Sequence, residues 1–286
     1  MPNVLTTDSP HSRLTATRAR PVKSETKESR VIADFLGAGL WGLFTASGLL
    51  IGAVVADLFS NRLSHRLIAT VMGFGGGVLI AIVAVELMGN AIKTGMSAAA
   101  ITALLGGAAI FSGINWYLAT SGAKNRKRCG ECVKQTTENE HAGSGVAIAV
   151  GTVLDGIPEA LVIGLSMVGG GKIGMGVVAG FFLANIPQGL SSASGMKLAG
   201  RSRRYIYAIW AGIPLLIGLT AAFGNFALGS VSTDATTVIL CFAAGTVLAM
   251  LAETMIPEAF DHAPPMIGLI TVTGFLSAFL LVQHHV

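Results

Sequence analysis

The sequence predicts an all-α polytopic membrane protein with eight transmembrane helices. Two observations carry this. Of 286 residues only 12% are charged while 52% are hydrophobic, about half the charge of a soluble domain, which runs near 25%. The apolar residues also fall in blocks of about 20 or more, the length needed to cross a roughly 30 Å hydrocarbon layer as helix. A pair of soluble domains and a nucleic-acid-binding protein are excluded. The net charge of +4 comes from a tail and a few loops, so it implies no polyanionic partner. Three cysteines cannot build a secreted disulfide scaffold.

Residues 1–30 are polar, carry Pro2, Pro10 and Pro21, and have no apolar run. They read as a disordered tail without the apolar core of a secretory signal. A transmembrane domain over 31–286 follows, with spans expected at 32–58, 67–90, 97–120, 145–168, 174–198, 205–227, 236–260 and 265–283. Arg62 and Arg66 separate the first two spans, and Lys93 ends the second. The loop 121–144 divides the third from the fourth, and Lys172 the fourth from the fifth. Arg201, Arg203 and Arg204 precede the sixth. Gly73, Gly75, Gly76, Gly77, Gly106 and Gly107 lie in the second and third spans. Small residues there let backbones approach closely in lipid, and these faces permit a homodimer.

Orientation follows from Lys and Arg in short loops, which stay cytoplasmic. The loops after spans one, three and five, together with Lys197 at the end of the fifth span, carry eleven basic residues, against Lys93 and Lys172 in those after two, four and six. The loop 121–144 is therefore expected in the cytoplasm and both termini outside, in a plasma or inner cell membrane. The six basic residues of the tail oppose that placement.

Carboxylates at mid-bilayer cost about 2.5–3.5 kcal/mol each on insertion scales. The fourth span holds Asp155 and Glu159, four residues apart and so on one helical face, and the seventh holds Glu253. Glu86 lies toward the outer end of the second span, while Asp57 and Glu258 lie near cytoplasmic ends, where headgroups would solvate them. No Lys or Arg lies deep in any span, so the acids require a cation from outside or a proton. Ile-Pro recurs at 157–158, 186–187, 213–214 and 256–257, three times as IPEAL, IPQGL and IPEAF. A helix-interior proline frees the carbonyl four residues back, here Leu154 and Leu183, and such a carbonyl can serve a cation when it lines a cavity.

These motifs resemble those of the ZIP family of metal-ion transporters. The family's fourth span reads His-Asn-x-Pro-Glu-Gly and its fifth Gln- or His-Asp-x-Pro-Glu-Gly. The matching stretches are Asp155-Gly156-Ile157-Pro158-Glu159-Ala160 and Ala184-Asn185-Ile186-Pro187-Gln188-Gly189. In the seventh span, Ala252-Glu253-Thr254-Met255-Ile256-Pro257-Glu258 resembles His-Glu-x-Ile-Pro-Glu. The resemblance spans about residues 32–283 and implies eight spans, outside termini, a variable cytoplasmic loop after the third span, and metal ligands on spans four and five. Several ligand positions are replaced: Asp155 for His, Gly156 for Asn, Ala184 and Asn185 in the fifth span, Gln188 for the bridging Glu, Ile213 for an acid and Ala252 for His. Glu159 and Glu253 carry over unchanged.

The expected cargo is a divalent metal cation, zinc or a harder ion such as manganese, held at Asp155, Glu159, Asn185, Gln188 and Glu253, with Glu86 as an outer recruiting carboxylate or proton acceptor. This donor set is all oxygen, which suits Mn, Mg or Ca, whereas zinc usually takes N or S. Inward movement by alternating access of helix groups is the expected mechanism, with no enzyme activity and no prosthetic group. Two other readings are a bundle that senses or binds cations without moving them, and an intramembrane hydrolase using Asp155 and Glu159 as an acid–base pair. In the loop, Cys129-Gly130-Glu131-Cys132 has knuckle spacing, with His141 the nearest third ligand. Cys241 reads as core, and His65, His262, His284 and His285 as solvated helix ends.

Overall fold

The computed structural model describes residues 27–59, 64–123, 136–137, 139–140, 143–171, 173–261 and 263–283. Cys129, Cys132, His141, His262, His284 and His285 lie outside them. Among the described residues the chain forms eight helical rods. They are α1 (Lys27–Leu58), α2 (65–94), α3 (Ala98–Leu118), α4 (Ser144–Ser166), α5 (Met175–Leu198), α6 (Arg203–Leu228), α7 (233–261) and α8 (Ile267–Gln283). Serine hydroxyls start four of them: Ser64, Ser97, Ser202 and Ser232 each accept a hydrogen bond from the backbone N–H three residues on, satisfying donors that a helix start leaves over.

The described part of α1 opens at Lys27, so helix already covers 27–30 of the segment expected to be a structureless tail, with Glu28 in this stretch. Six stretches are long and apolar enough to cross a membrane: Glu28–Leu58, His65–Lys93, Ala98–Ala123, Ser144–Ser166, Arg203–Leu228 and Thr233–Asp261. The chain therefore has the character of a membrane-spanning helical protein. The expected eighth span is a shorter apolar helix, Ile267–Gln283. The fifth, α5, has 24 residues but holds Asn185, Gln188, Ser191, Ser192 and Ser194, which lower its hydropathy.

Two rods contain π turns, Ile82–Leu87 in α2 and Leu251–Met255 in α7. In each, the next N–H reaches back five residues, Met88 to Val83 and Ile256 to Leu251. The second ends two residues before Pro257, which has no N–H of its own to give. Pro158, Pro187 and Pro214 sit inside helices that continue through them.

The rods pack as two four-helix groups, α1 with α4, α5 and α6, and α2 with α3, α7 and α8. The groups meet where α5 lies against α2 and α8 and where α4 lies against α7. Glycines set the closest crossings. A Cβ on Gly52 would overlap the carbonyl of Ile186, and one on Gly189 that of Leu49, so α1 and α5 touch backbone to backbone. Gly48 faces Phe182 and Asn185 while Gly52 faces Ile186 and Leu190, so these two helices are parallel. Gly156 against Ile217 and Gly164 against Asn225 make α4 parallel to α6, while Gly39 against Ala222 and Gly42 against Gly218 make α1 antiparallel to α6. It follows that α4 and α5 run in opposite directions.

Candidate cation site

The predicted residues of α4 and α5 are in the interior: Asp155 and Glu159 are each 2% exposed, Asn185 3% and Gln188 1%. The Asn185 Nδ2 donates to Glu159 Oε2 at 2.9 Å and to the carbonyl of Thr45 at 3.2 Å. Gly48 makes the second bond possible, because an added Cβ there would lie 3.1 Å from Cβ of Asn185, and any side chain would push α1 away. Asn185 thus fixes the orientation of Glu159 through its nitrogen, with its own carbonyl oxygen as the atom left to serve a cation. Because α4 and α5 are antiparallel, Asp155 and Gln188 both lie one turn from this pair, toward the end of the bundle that carries Lys197. The arrangement is a rung of Glu159 and Asn185, with Asp155 and Gln188 on the turn beyond it.

The remaining predicted ligands are elsewhere. Glu253 is in the π turn of α7, exposed, and accepts hydrogen bonds from Ser112 Oγ and from Asn115 Nδ2, the latter at 2.6 Å. Both donors are on α3, so Glu253 is engaged within its own helix group, not with α4 or α5. Glu86 is half-buried in the π turn of α2. Among the described residues no three His, Cys, Asp or Glu side chains converge as a metal-holding group. The Asp155, Glu159 and Glu253 carboxylates are therefore not assembled into one centre in this conformation.

The expectation that headgroups solvate Asp57 and Glu258 is not met. Asp57 is only 9% exposed, and its Oδ1 accepts from Lys197 Nζ at 2.8 Å and Arg203 Nε at 3.0 Å, while Tyr207 donates to Oδ2 at 3.0 Å. Its charge is matched by cations from α5 and α6, so the three helices are tied at one end. Glu258 is 5% exposed and accepts a hydrogen bond from Ser191 Oγ at 2.8 Å. Its nearness to a helix end suggested water, but Ile256–Asp261 packs against α2 and turns the side chain inward. Ser191 and Ser192, both buried, were not anticipated. Their signal was a serine pair one turn beyond Gln188 in an otherwise apolar span. Cys241 is buried, as expected of a core residue. No protein-family model matches the chain, and no curated protein matches it.

Proposed function

We propose that this chain moves a divalent metal cation across a cell membrane, inward, through a site built on Asp155, Glu159, Asn185 and Gln188. Its eight helices all cross the bilayer and loop 121–144 faces the cytoplasm. The observation that carries the reading is the burial of two carboxylates one turn apart, one of them bonded to the Asn185 amide of a second helix. Two buried acids on one helical face repel one another, and a bound dication is the partner that relieves both charges at once. The oxygen-only donors favour manganese or another hard ion over zinc, and the likeness of three spans to ZIP transporter motifs points to the same cargo class. Glu253, held by α3, and Glu86 act outside this site, at the ends of the path. An ion would be desolvated by Asp155 and Glu159 while the two helix groups shift against each other around it.

Unfolding temperature in detergent tests the site, measured against Mn, Mg, Ca, Zn, Fe and Cd. A metal that binds only the folded protein stabilises it by about 2.7 kcal/mol at a hundredfold excess over Kd. The expected outcome is a rise with one hard divalent ion that is abolished in both Asp155→Ala and Glu159→Ala. Absence of any metal-dependent rise in the unaltered protein would refute the reading. The second reading is a bundle that binds cations without moving them, and it is favoured by Glu253 being held by α3 away from Asp155 and Glu159 among the described residues. Stabilisation without flux into proteoliposomes would identify it.

A further inference from the structure

We propose that a recess between α2, α7 and the start of α8 binds one acyl chain of an anionic phospholipid, whose phosphate pairs with Arg66. The recess has a volume of about 300 Å3, roughly twice the apolar cavity that takes up benzene. Met72 and Gly76 line it from α2, Ile256 and Phe260 from α7, and Gly268 and Thr271 from α8. The Thr271 hydroxyl donates to the Ile267 carbonyl at 3.1 Å and the other five are apolar or glycine, so water in the recess would lack the polar partners it needs. Ile256 and Phe260 each stand two residues from Glu258 and so on the opposite face of α7. Glu258 faces Ser191 of the other helix group, whereas Ile256 and Phe260 are exposed. The recess therefore opens on the outside of the bundle, where a membrane-spanning protein meets hydrocarbon.

Two glycines keep the space open. A Cβ on Gly76 would come no nearer than 3.9 Å to Leu251, and one on Gly268 would meet nothing within 4 Å. Neither is demanded by a close helix contact, unlike Gly73, where a Cβ would lie 2.6 Å from Cδ1 of Ile267. Glycine destabilises a helix relative to alanine, and here the missing side chains are part of the volume of the recess. Arg66 supplies the headgroup end. It precedes Gly73 by seven residues, two turns and about 10 Å along the same face of α2. It is exposed, and its side chain has no ion pair among the described residues, while Asp261, the acid at this end of α7, does not line the recess. A phosphate at Arg66 places the attached chain along α2 and into the recess. A second copy docked here about a two-fold axis would bring a second Arg66 to the same rim, so the charge favours lipid.

The test places the full chain in phosphatidylcholine vesicles with a trace of phosphatidylglycerol carrying a photoactivatable diazirine in one acyl chain, and maps the adducts by mass spectrometry. Adducts are expected on Met72, Ile256 or Phe260. Unlabelled phosphatidylglycerol should compete about fivefold better than phosphatidylcholine, the worth of one basic side chain at an anionic surface. In Arg66→Gln that preference should vanish while labelling persists. Gly268→Leu should abolish labelling by filling the recess, and Gly76→Leu, which fills it from the other wall, should do the same, so a folding fault in one variant does not decide the result. Glycerol phosphate, which has no chain for the recess, should not compete. Adducts spread evenly over the exposed helices of the unaltered protein would overturn the proposal, as would equal competition by the two lipids or competition by glycerol phosphate. Disulfide formation between two copies of a Phe260→Cys variant would give the recess to a second copy and overturn it as well.

Discussion

Asn185 is where residue chemistry and helix packing meet. Its single amide nitrogen holds both the Glu159 carboxylate and the backbone of α1, so Asn185→Ala should destabilise the protein by about 1.5–3 kcal/mol, the usual contribution of a hydrogen bond to a charged group, measured by unfolding in detergent without metal. Asn185→Asp puts a third acid beside Glu159 and should lower stability without metal while enlarging the rise that Mn2+ gives. An unchanged Mn2+ response would show that Asn185 only supports Glu159. At this scale the acids on α4 were legible, because a four-residue spacing in an apolar run has one geometric meaning. The role of Asn185 was not, since the residue type does not say whether its oxygen or its nitrogen faces the acid. Glu258 was misread for a related reason: its depth along α7 is set by sequence, but its burial is set by where α2 and α5 lie.

At the level of the helix, adjacent glycines of α3 offer a controlled comparison. A Cβ on Gly106 meets nothing within 4 Å, whereas one on Gly107 would overlap the carbonyl of Phe242 on α7. Gly106→Ala should be neutral or stabilising by up to about 1 kcal/mol through helix propensity. Gly107→Ala should cost about 1–3 kcal/mol as the two helices are forced apart. Equal effects on the unfolding temperature would mean that α3 and α7 do not touch there. The rods themselves were readable from the apolar blocks, and most of their ends fall within a turn of the expected positions. The π turns were not readable. Pro257 announces a missing hydrogen bond, but how the backbone absorbs it depends on packing between α7 and its neighbours, as does the direction in which Glu253 then points.

For the molecule as a whole, the two four-helix groups follow from contacts that no local pattern encodes, since α1 finds its partners in α4, α5 and α6 across 85 or more intervening residues of chain. Membrane orientation remains a matter of the loop charges and can be checked directly. In a background with Cys129 and Cys132 changed to serine, an impermeant maleimide applied to intact cells should label Met96→Cys, in the exposed turn between α2 and α3. It should spare Asn139→Cys, in the loop before α4. The reverse pattern would invert the protein in the membrane, in agreement with the basic N-terminal tail.

The polar character of α5 bears on how the chain enters the bilayer in the first place. A segment with Asn185, Gln188 and three serines partitions weakly into hydrocarbon by itself, and its shelter comes from α1 and α6 on one side and α2 and α8 on the other. Two of those helices, α6 and α8, are synthesised after it. On the proposed eight-span topology, α5 is expected to enter the bilayer against α1 and α2 and to be sealed there only by the helices that follow.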